Sequence, residues 1–508
     1  MAERIRKHAG LLLCFCYGAL VPLGFAPFGY YIVPVISVAL LLHAWLRYTP
    51  KKTFLSGYLF GLGMYGTGVS WLHISINLFG GMNLIGSYLI TLLLVLYLAC
   101  YPAVAGYLMR RWLFVSKPVF LLLSAPAMWV LGEWGRSRIF TGFPWLNLGY
   151  SQIDSPLAGL APITGIYGVS WAAVLSAGLL VLMFHCRRRG KILVFIAAVL
   201  LWTGTGQLYP KHWTQPSGTI SVALIQGGIP QRLKWKPELR QQSFDLYLEL
   251  TRPHQHSDLI VWPETAIPAL YQQAPGLADQ LHGMTRVNGN NLVSGIPFRD
   301  PETGVYYNSA VLFNGGVNFY HKRHLVPFGE YLPLAGLFQP LLHRLGIPVS
   351  NFTAGTQPKP LLRGPRFGIG ISICYEDTFG EEVIESLPEA GILVNISNDA
   401  WFGDSLAPHQ HLEMARMRAR ETGRYLLRAT NTGITAIIDE HGWITHRSTQ
   451  FKPQALAAEV LLFEGSTPYA GLGNMPVLLA ALMILAGIIL LIKIKTARQA
   501  TGPEANRS

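Results

Sequence analysis

GIGISICYEDTFGE, residues 368–381, sets one cysteine, Cys374, at the end of an apolar, glycine-punctuated run. The run over 367–373 reads as a buried strand. The acidic pair Glu376/Asp377 and the following EEVIESLPE predict a helix over about 378–388. In open α/β sheets chemistry gathers where strands end. A thiol at a strand-to-helix junction meets helix-terminal N–H groups and the positive end of the dipole, both of which favour the thiolate.

Similar runs recur on either side. TISVALIQGG (219–228), DLIVWPETA (258–266), NLVSGIPF (291–298), YYNSAVLFN (306–314) and GILVNISND (391–399) all read as strands, and LLRATNTGITAIIDEHG (426–442) as a hairpin-like pair. Helical stretches intervene at 236–251 and 411–424. Apolar, β-branched strands alternating with helices indicate an α/β domain around a buried sheet.

The rest of the chain has a different composition. It is 51% hydrophobic and 13% charged over 508 residues, against about 25% charged in an ordinary soluble domain. Between residues 8 and 109 the charged side chains, histidines aside, are Arg47, Lys51 and Lys52, whereas 230–465 has soluble character. Eight stretches have the length and apolarity of membrane spans: roughly 9–26, 29–47, 54–77, 84–107, 118–135, 160–184, 192–208 and 470–492. The N-terminal run lacks a clear cleavage site and is read as a retained span.

The net charge of +13 sits in short clusters between these runs: Arg4/Arg6/Lys7, Arg47/Lys51/Lys52, Arg110/Arg111/Lys117, Arg187/Arg188/Arg189/Lys191 and Lys493/Lys495/Arg498. Alternating the spans from a cytoplasmic N-terminus places every cluster on one side, as the positive-inside rule requires. A nucleic-acid footprint would gather them on one folded face, so no nucleic-acid partner is expected. The expected organisation is spans one to seven in 1–209, an extracytoplasmic catalytic domain in 210–468, and span eight with a cytoplasmic tail in 469–508. GLGMYG (61–66) matches a dinucleotide fingerprint in letters, but it lies inside an apolar run, where small residues serve close helix packing.

Cys374 is the one cysteine of the extracytoplasmic region, and an oxidising compartment normally pairs its structural cysteines. A free thiol there is either inert and buried or kept for reactivity. A nucleophile needs a base and a group to hold the oxyanion. Glu264, in VWPETA, and Lys322, in FYHKRHLVPFGEY, both end apolar runs. Taken singly each is an ordinary surface group, and their weight comes from occurring together. The H-x-H pairs His254/His256 and His409/His411, and His321/His324 beside the lysine, do not complete a three- or four-ligand metal set, so no metal or cofactor is expected. Glu133 and Arg136 near a span end fit either mutual pairing or headgroup contact.

WPET (262–265), HKRHLVPFGEYLP (321–333) and SICYED (372–377) resemble the Glu–Lys–Cys site of the nitrilase superfamily. VSWLHISI (69–76), EWGRSRIFTGFPWLNLGYSQ (133–152) and NDAWFGDSLAPHQH (398–411) extend the likeness to its membrane-bound branch, the bacterial apolipoprotein N-acyltransferases, over nearly the whole chain. The resemblance implies a polytopic helical membrane protein carrying an α-β-β-α sandwich. It makes Cys374 the nucleophile, Glu264 the general base and Lys322 the stabiliser of the tetrahedral intermediate. Glu330, Tyr375, Glu376 and Trp235 become supporting or substrate-binding residues. The implied partners are a phospholipid acyl donor, a diacylglyceryl-apolipoprotein acceptor and the bilayer of the inner membrane, and a monomer is expected.

The segment YLPLAGLFQPLLHRLGIPV (331–349) is too apolar for a free loop and too interrupted by Pro333, Pro340 and Pro348 for a span, so we expect it to dip into the bilayer surface. Two rivals stand beside this reading. One is a membrane-tethered amidase that hydrolyses its thioester with water. The other is a transporter with a ligand-binding domain, which the nearly charge-free first four runs disfavour.

Overall fold

The computed structural model describes residues 2–332, 336 and 351–500. The proline-interrupted segment expected to meet the bilayer, with Leu337 and Phe338 at its centre, lies mostly outside the described residues.

By contacts the chain divides into two units. One comprises residues 1–70, 90–210 and 474–508, the other Trp71–Leu89 and Lys211–Gly473. Five described helices are long and apolar enough to cross a membrane: Leu84–Trp112, Lys117–Arg136, Pro156–His185, Arg188–Leu208 and Met475–Ala497. Shorter apolar helices cover Gly10–Gly24 and Ile32–Arg47. Glycines set how closely these helices approach. A Cβ on Gly63 would sit 2.1 Å from the Phe15 carbonyl oxygen, and one on Gly61 would sit 2.6 Å from Ala99 Cα. The small residues of GLGMYG therefore serve helix–helix contact, as their setting predicts. Glu133 and Arg136 do not pair with each other. Arg136 donates to the carbonyls of Phe143 and Trp145 and to Asn147, while Glu133 accepts from Trp129 Nε1 and the Leu148 N–H.

The expected third span, 54–77, is shorter than predicted. Its helix, Pro50–Gly68, ends at Gly68, and Leu72–Leu78 is a separate turn of helix. That turn belongs to the second unit. There Trp71 stacks edge-on to Phe402, Phe79 does the same to Trp401, and Trp71 Nε1 donates to Gln410.

The second unit holds two six-stranded sheets. Its strands are β1 Gln215–Gln226, β2 Leu259–Val261, β3 Asn291–Arg299, β4 Tyr306–Phe313, β5 Val317–His321, β6 Leu361–Arg363, β7 Gly368–Ile373, β8 Ala390–Ser397, β9 Leu426–Thr430, β10 Ala436–Ile438, β11 Ile444–Arg447 and β12 Gln454–Glu464. The first sheet runs β12-β1-β2-β3-β4-β5 and the second β11-β10-β9-β8-β7-β6. Val222, Leu259, Val261 and Val293 of the first sheet interlock with Ile369, Ile371, Val394 and Leu427 of the second, forming one dry core between them. The outer face of the first sheet is covered by Arg240–Thr251 and Pro275–Asn288 through Phe244, Tyr247 and Leu281. Leu406–Thr422 covers the second through Leu412, Ala415 and Ala419. The result is four layers, α-β-β-α.

The helix expected over 378–388 is broken. Cys374–Thr378 is one 3₁₀ turn, Phe379 is extended (φ −104°, ψ 89°), and only Gly380–Val383 is α-helical.

Candidate active site

Both sheets deliver residues from strand ends. After β2 the chain turns through Trp262-Pro263-Glu264 and passes hard against β3. A Cβ on Gly295 would stand 2.4 Å from Thr265 N and 2.6 Å from Glu264 Cα, so only glycine admits this turn. Lys322 is the first residue beyond β5, and its N–H donates to the Asn308 carbonyl on β4. Cys374 is the first residue beyond β7.

Glu264, Lys322 and Glu330 converge. The Lys322 ammonium lies 2.8 Å from Glu330 Oε2 and 3.9 Å from Glu264 Oε1, with its side chain 1% exposed. Asn308 Nδ2 bridges the two carboxylates, donating to Glu264 Oε1 and to Glu330 Oε1 at 2.7 Å each. The Val326 N–H holds the other oxygen of Glu330. Burial opposes charge on Lys322, but the Glu330 and Glu264 carboxylates outweigh it and keep the ammonium protonated well beyond the ordinary lysine range. Buried Lys234 donates to the Glu264 carbonyl at 3.0 Å, and burial lowers its own ammonium to about 8.

Cys374 feels the same group. Burial raises its thiol most, the Glu264 and Asp399 charges add to that, and Lys322 and the neighbouring Ser397 hydroxyl act against it. The net shift is strongly upward, so the resting group is a thiol. This corrects the expectation of a dipole-stabilised thiolate. The turn after Cys374 is too short to carry a helix dipole, and burial dominates. Cys374 has φ +52°, and Thr265 (φ +51°) and Phe328 (φ +62°) share that left-handed region next to Glu264 and near Glu330. Non-glycine residues there are strained, and such residues cluster at functional sites.

The remaining predicted residues fall into place unevenly. Glu376 is buried and ties three segments together. Its Oε1 accepts from Tyr320 Oη and from the N–H groups of Arg323 and His324, and Oε2 accepts from the Ile373 N–H. Tyr375 packs edge-on to Phe379 at 5.1 Å. Trp235 caps the short helix Gln231–Lys234 and is 53% exposed, while its neighbour Lys234 is the residue that reaches Glu264.

Sequence reading missed Asn308, Lys234 and a buried quartet behind the cysteine. His411 bonds Asp377 (2.8 Å) and Asp399 (3.0 Å), and Arg428 bonds the same two carboxylates (3.0 and 3.1 Å). No local pattern marks these residues. The sequence sets the H-x-H pair His409/His411 aside as a metal site, and His411 is a buried ion-pair partner. Among the described residues, the one group with metal-type spacing is His212, Glu440 and His441, which shares nothing with the cluster around Cys374.

A family model described as the apolipoprotein N-acyltransferase N-terminal domain matches residues 17–179, and one described as carbon-nitrogen hydrolase matches 221–463. Proteins named apolipoprotein N-acyltransferase are similar over nearly their full length. That of Methylococcus capsulatus is 45% identical over 94% of this chain and 95% of its own, and that of Nitrosomonas europaea is 43% identical over 94% and 96%. That of Photobacterium profundum is 40% identical over 96% of each chain. Among solved structures, a carbon-nitrogen hydrolase from Helicobacter pylori is 16% identical, covers 47% of this chain and 88% of that one, and superposes with a TM-score of 0.36. With such identity sustained from the apolar helices through the two-sheet domain, the chain belongs to the apolipoprotein N-acyltransferase family.

Proposed function

We propose that this enzyme moves a fatty acyl chain from a phospholipid to the α-amine of an S-diacylglyceryl cysteine at a lipoprotein N-terminus, through a thioester on Cys374. The observation that carries the reading is the buried cluster of Glu264, Lys322 and Glu330 beside the strained thiol, in a chain of this family. In the first half-reaction Glu264 takes the thiol proton and the sulfur attacks the phospholipid ester carbonyl. The tetrahedral oxyanion forms beside the Lys322 ammonium, which is already charged and held, so little reorganisation is needed. The C–O bond breaks, the lysophospholipid alkoxide takes the proton from Glu264, and a thioester remains. In the second half the amine attacks the thioester carbonyl and gives its proton to Glu264. The C–S bond breaks, and the thiolate leaves and recovers that proton. A resting thiol suits this cycle, because the sulfur is ionised only when a base is in position.

On this reading, 1–209 and 469–508 cross the inner membrane and 210–468 works on its outer face, consistent with the one-sided basic clusters. Exposed Trp401, with Phe79 packed edge-on against it, supplies an apolar surface suited to acyl chains. The test is product analysis with phospholipid and a diacylated lipopeptide. N-acylated lipopeptide is expected. Free fatty acid with unmodified lipopeptide would favour the hydrolase instead.

A further inference from the structure

Cys374 and Ser397 end neighbouring parallel strands. The register pairs Ile373 with Ile396, so Cys374 and Ser397 follow directly on paired residues of adjacent strands, which makes the buried Ser397 hydroxyl a neighbour of the thiol. The same hydroxyl donates to Asp399 Oδ1 at 3.2 Å. Asp399 is fixed by Arg428 and His411, and both of these also grip Asp377, three residues past the nucleophile. Arg428 further holds Asn395 Oδ1 (2.7 Å), whose amide donates to the Cys374 carbonyl (3.2 Å) and to Ser372 Oγ (3.0 Å). The frame thus grips the strained cysteine by its backbone, and it leaves one rotatable hydrogen, on Ser397, between a permanent anion and the sulfur.

A hydroxyl has one proton to donate and two lone pairs to accept with. While Cys374 is a thiol, Ser397 donates to Asp399 and can accept from S–H. Once the sulfur is an anion, that acceptance ends and a charge-assisted donor becomes valuable. We propose that Ser397 is a further catalytic group of this site, a hydroxyl rotor that turns from Asp399 to the Cys374 sulfur whenever that sulfur becomes a thiolate. That happens twice per turnover on the mechanism above, on which this inference rests: at attack on the ester, and at expulsion by the amine. Asp399, His411 and Arg428 are positioning residues, setting where the hydroxyl rests. The charged groups facing the sulfur are Glu264 beyond β2, Lys322 beyond β5, Asp399 beyond β8 and Arg428 on β9. None of these is altered by substituting Ser397.

The test is the pH profile of Cys374 alkylation by iodoacetamide in the full-length enzyme in detergent, read on the Cys374 peptide by mass spectrometry, with thermal midpoints measured in parallel. Ser397→Ala is expected to move the profile up by about one pH unit, a ~10-fold slower labelling below the midpoint, as loss of one hydrogen bond to a charged group predicts. Ser397→Thr, which keeps the hydroxyl, should restore the native profile. Asp399→Asn should move it down, because it removes an anion and releases the hydroxyl. It also serves as the test variant should the alanine variant not fold. An unshifted profile in folded Ser397→Ala, or an upward shift in Asp399→Asn, overturns the proposal. Because alkylation needs no lipid, failure here is separable from failure of the acyl-transfer reading, which product analysis judges.

Discussion

The two sheets of the catalytic unit contribute differently to one site. The first brings the Glu264 carboxylate from the end of β2 and the Lys322 ammonium from the end of β5, with Asn308 on β4 bridging Glu264 to Glu330. The second brings the sulfur and, behind it, a closed quartet of two carboxylates, one histidine and one arginine, all buried and mutually bonded. On the proposed mechanism the first group exchanges protons and meets developing charge. The second is built to hold one backbone conformation. On the proposed mechanism the base and the cation come from one sheet and the frame that strains the cysteine comes from the other, so substitutions in the two groups should fail in different ways.

Glu264→Gln gives the largest expected loss of rate, on the order of 10²–10⁴-fold in both half-reactions, with a thermal midpoint close to the parent. Single-turnover acylation and deacylation measure it, and loss of only one half-reaction would break the shared-base assignment. Arg428→Met should act on the fold instead. It leaves Asp377 and Asp399 buried without their main cation, a cost of about 3–5 kcal/mol in unfolding free energy, read by denaturant titration. Gly295→Ala probes the close packing that places Glu264 within the first group. The added Cβ must displace the Glu264 turn, and a shift of about 1 Å predicts a ~10²-fold lower turnover with Cys374 alkylation unaltered in extent.

Glu376, which joins the two sheets, gives the smallest effect and the sharpest sign. Burial, its largest influence, raises this carboxyl to about 7 from an ordinary 4.5, against the pull of Lys322 and the backbone donors. In that window the folded chain binds a proton that the unfolded chain has released, so this group adds stability as pH falls from about 7 and loses it as pH rises. Its ionised form, however, is the one that accepts all four donors. Acidification through about 7 should lower turnover a few-fold while raising the midpoint of the wild type relative to Glu376→Gln. Turnover and relative midpoint falling together would assign the titration to another group.

Much of this was legible locally, and what was not has physical reasons. Runs such as GIGISI and GILVNIS show their strands because burial on both faces leaves a continuous apolar signature. QALAAEVLLFE does not, being built of good helix formers. It is strand β12 only because β1 pairs with it along its whole length, a contact more than two hundred residues away in sequence. The apolar letters of 54–77 hid a break at Gly68, since hydropathy is blind to a helix that ends at Val69 (φ −127°, ψ 17°). Glu264, Lys322 and Cys374 stood out as reactive residue types at strand ends. Asn308, Ser397 and Arg428 did not, because their meaning lies in partners on other strands: Asn308 is 44 residues from Glu264, and Arg428 is 51 from Asp377.

The most direct measurement is intact-protein mass spectrometry after incubation with phospholipid alone. An acyl-sized mass increase, localised to the Cys374 peptide, absent from Cys374→Ser as a thioester and lost on addition of diacylated lipopeptide, is the predicted result. An enzyme that N-acylates lipopeptide while its sulfur never carries the chain would contradict it.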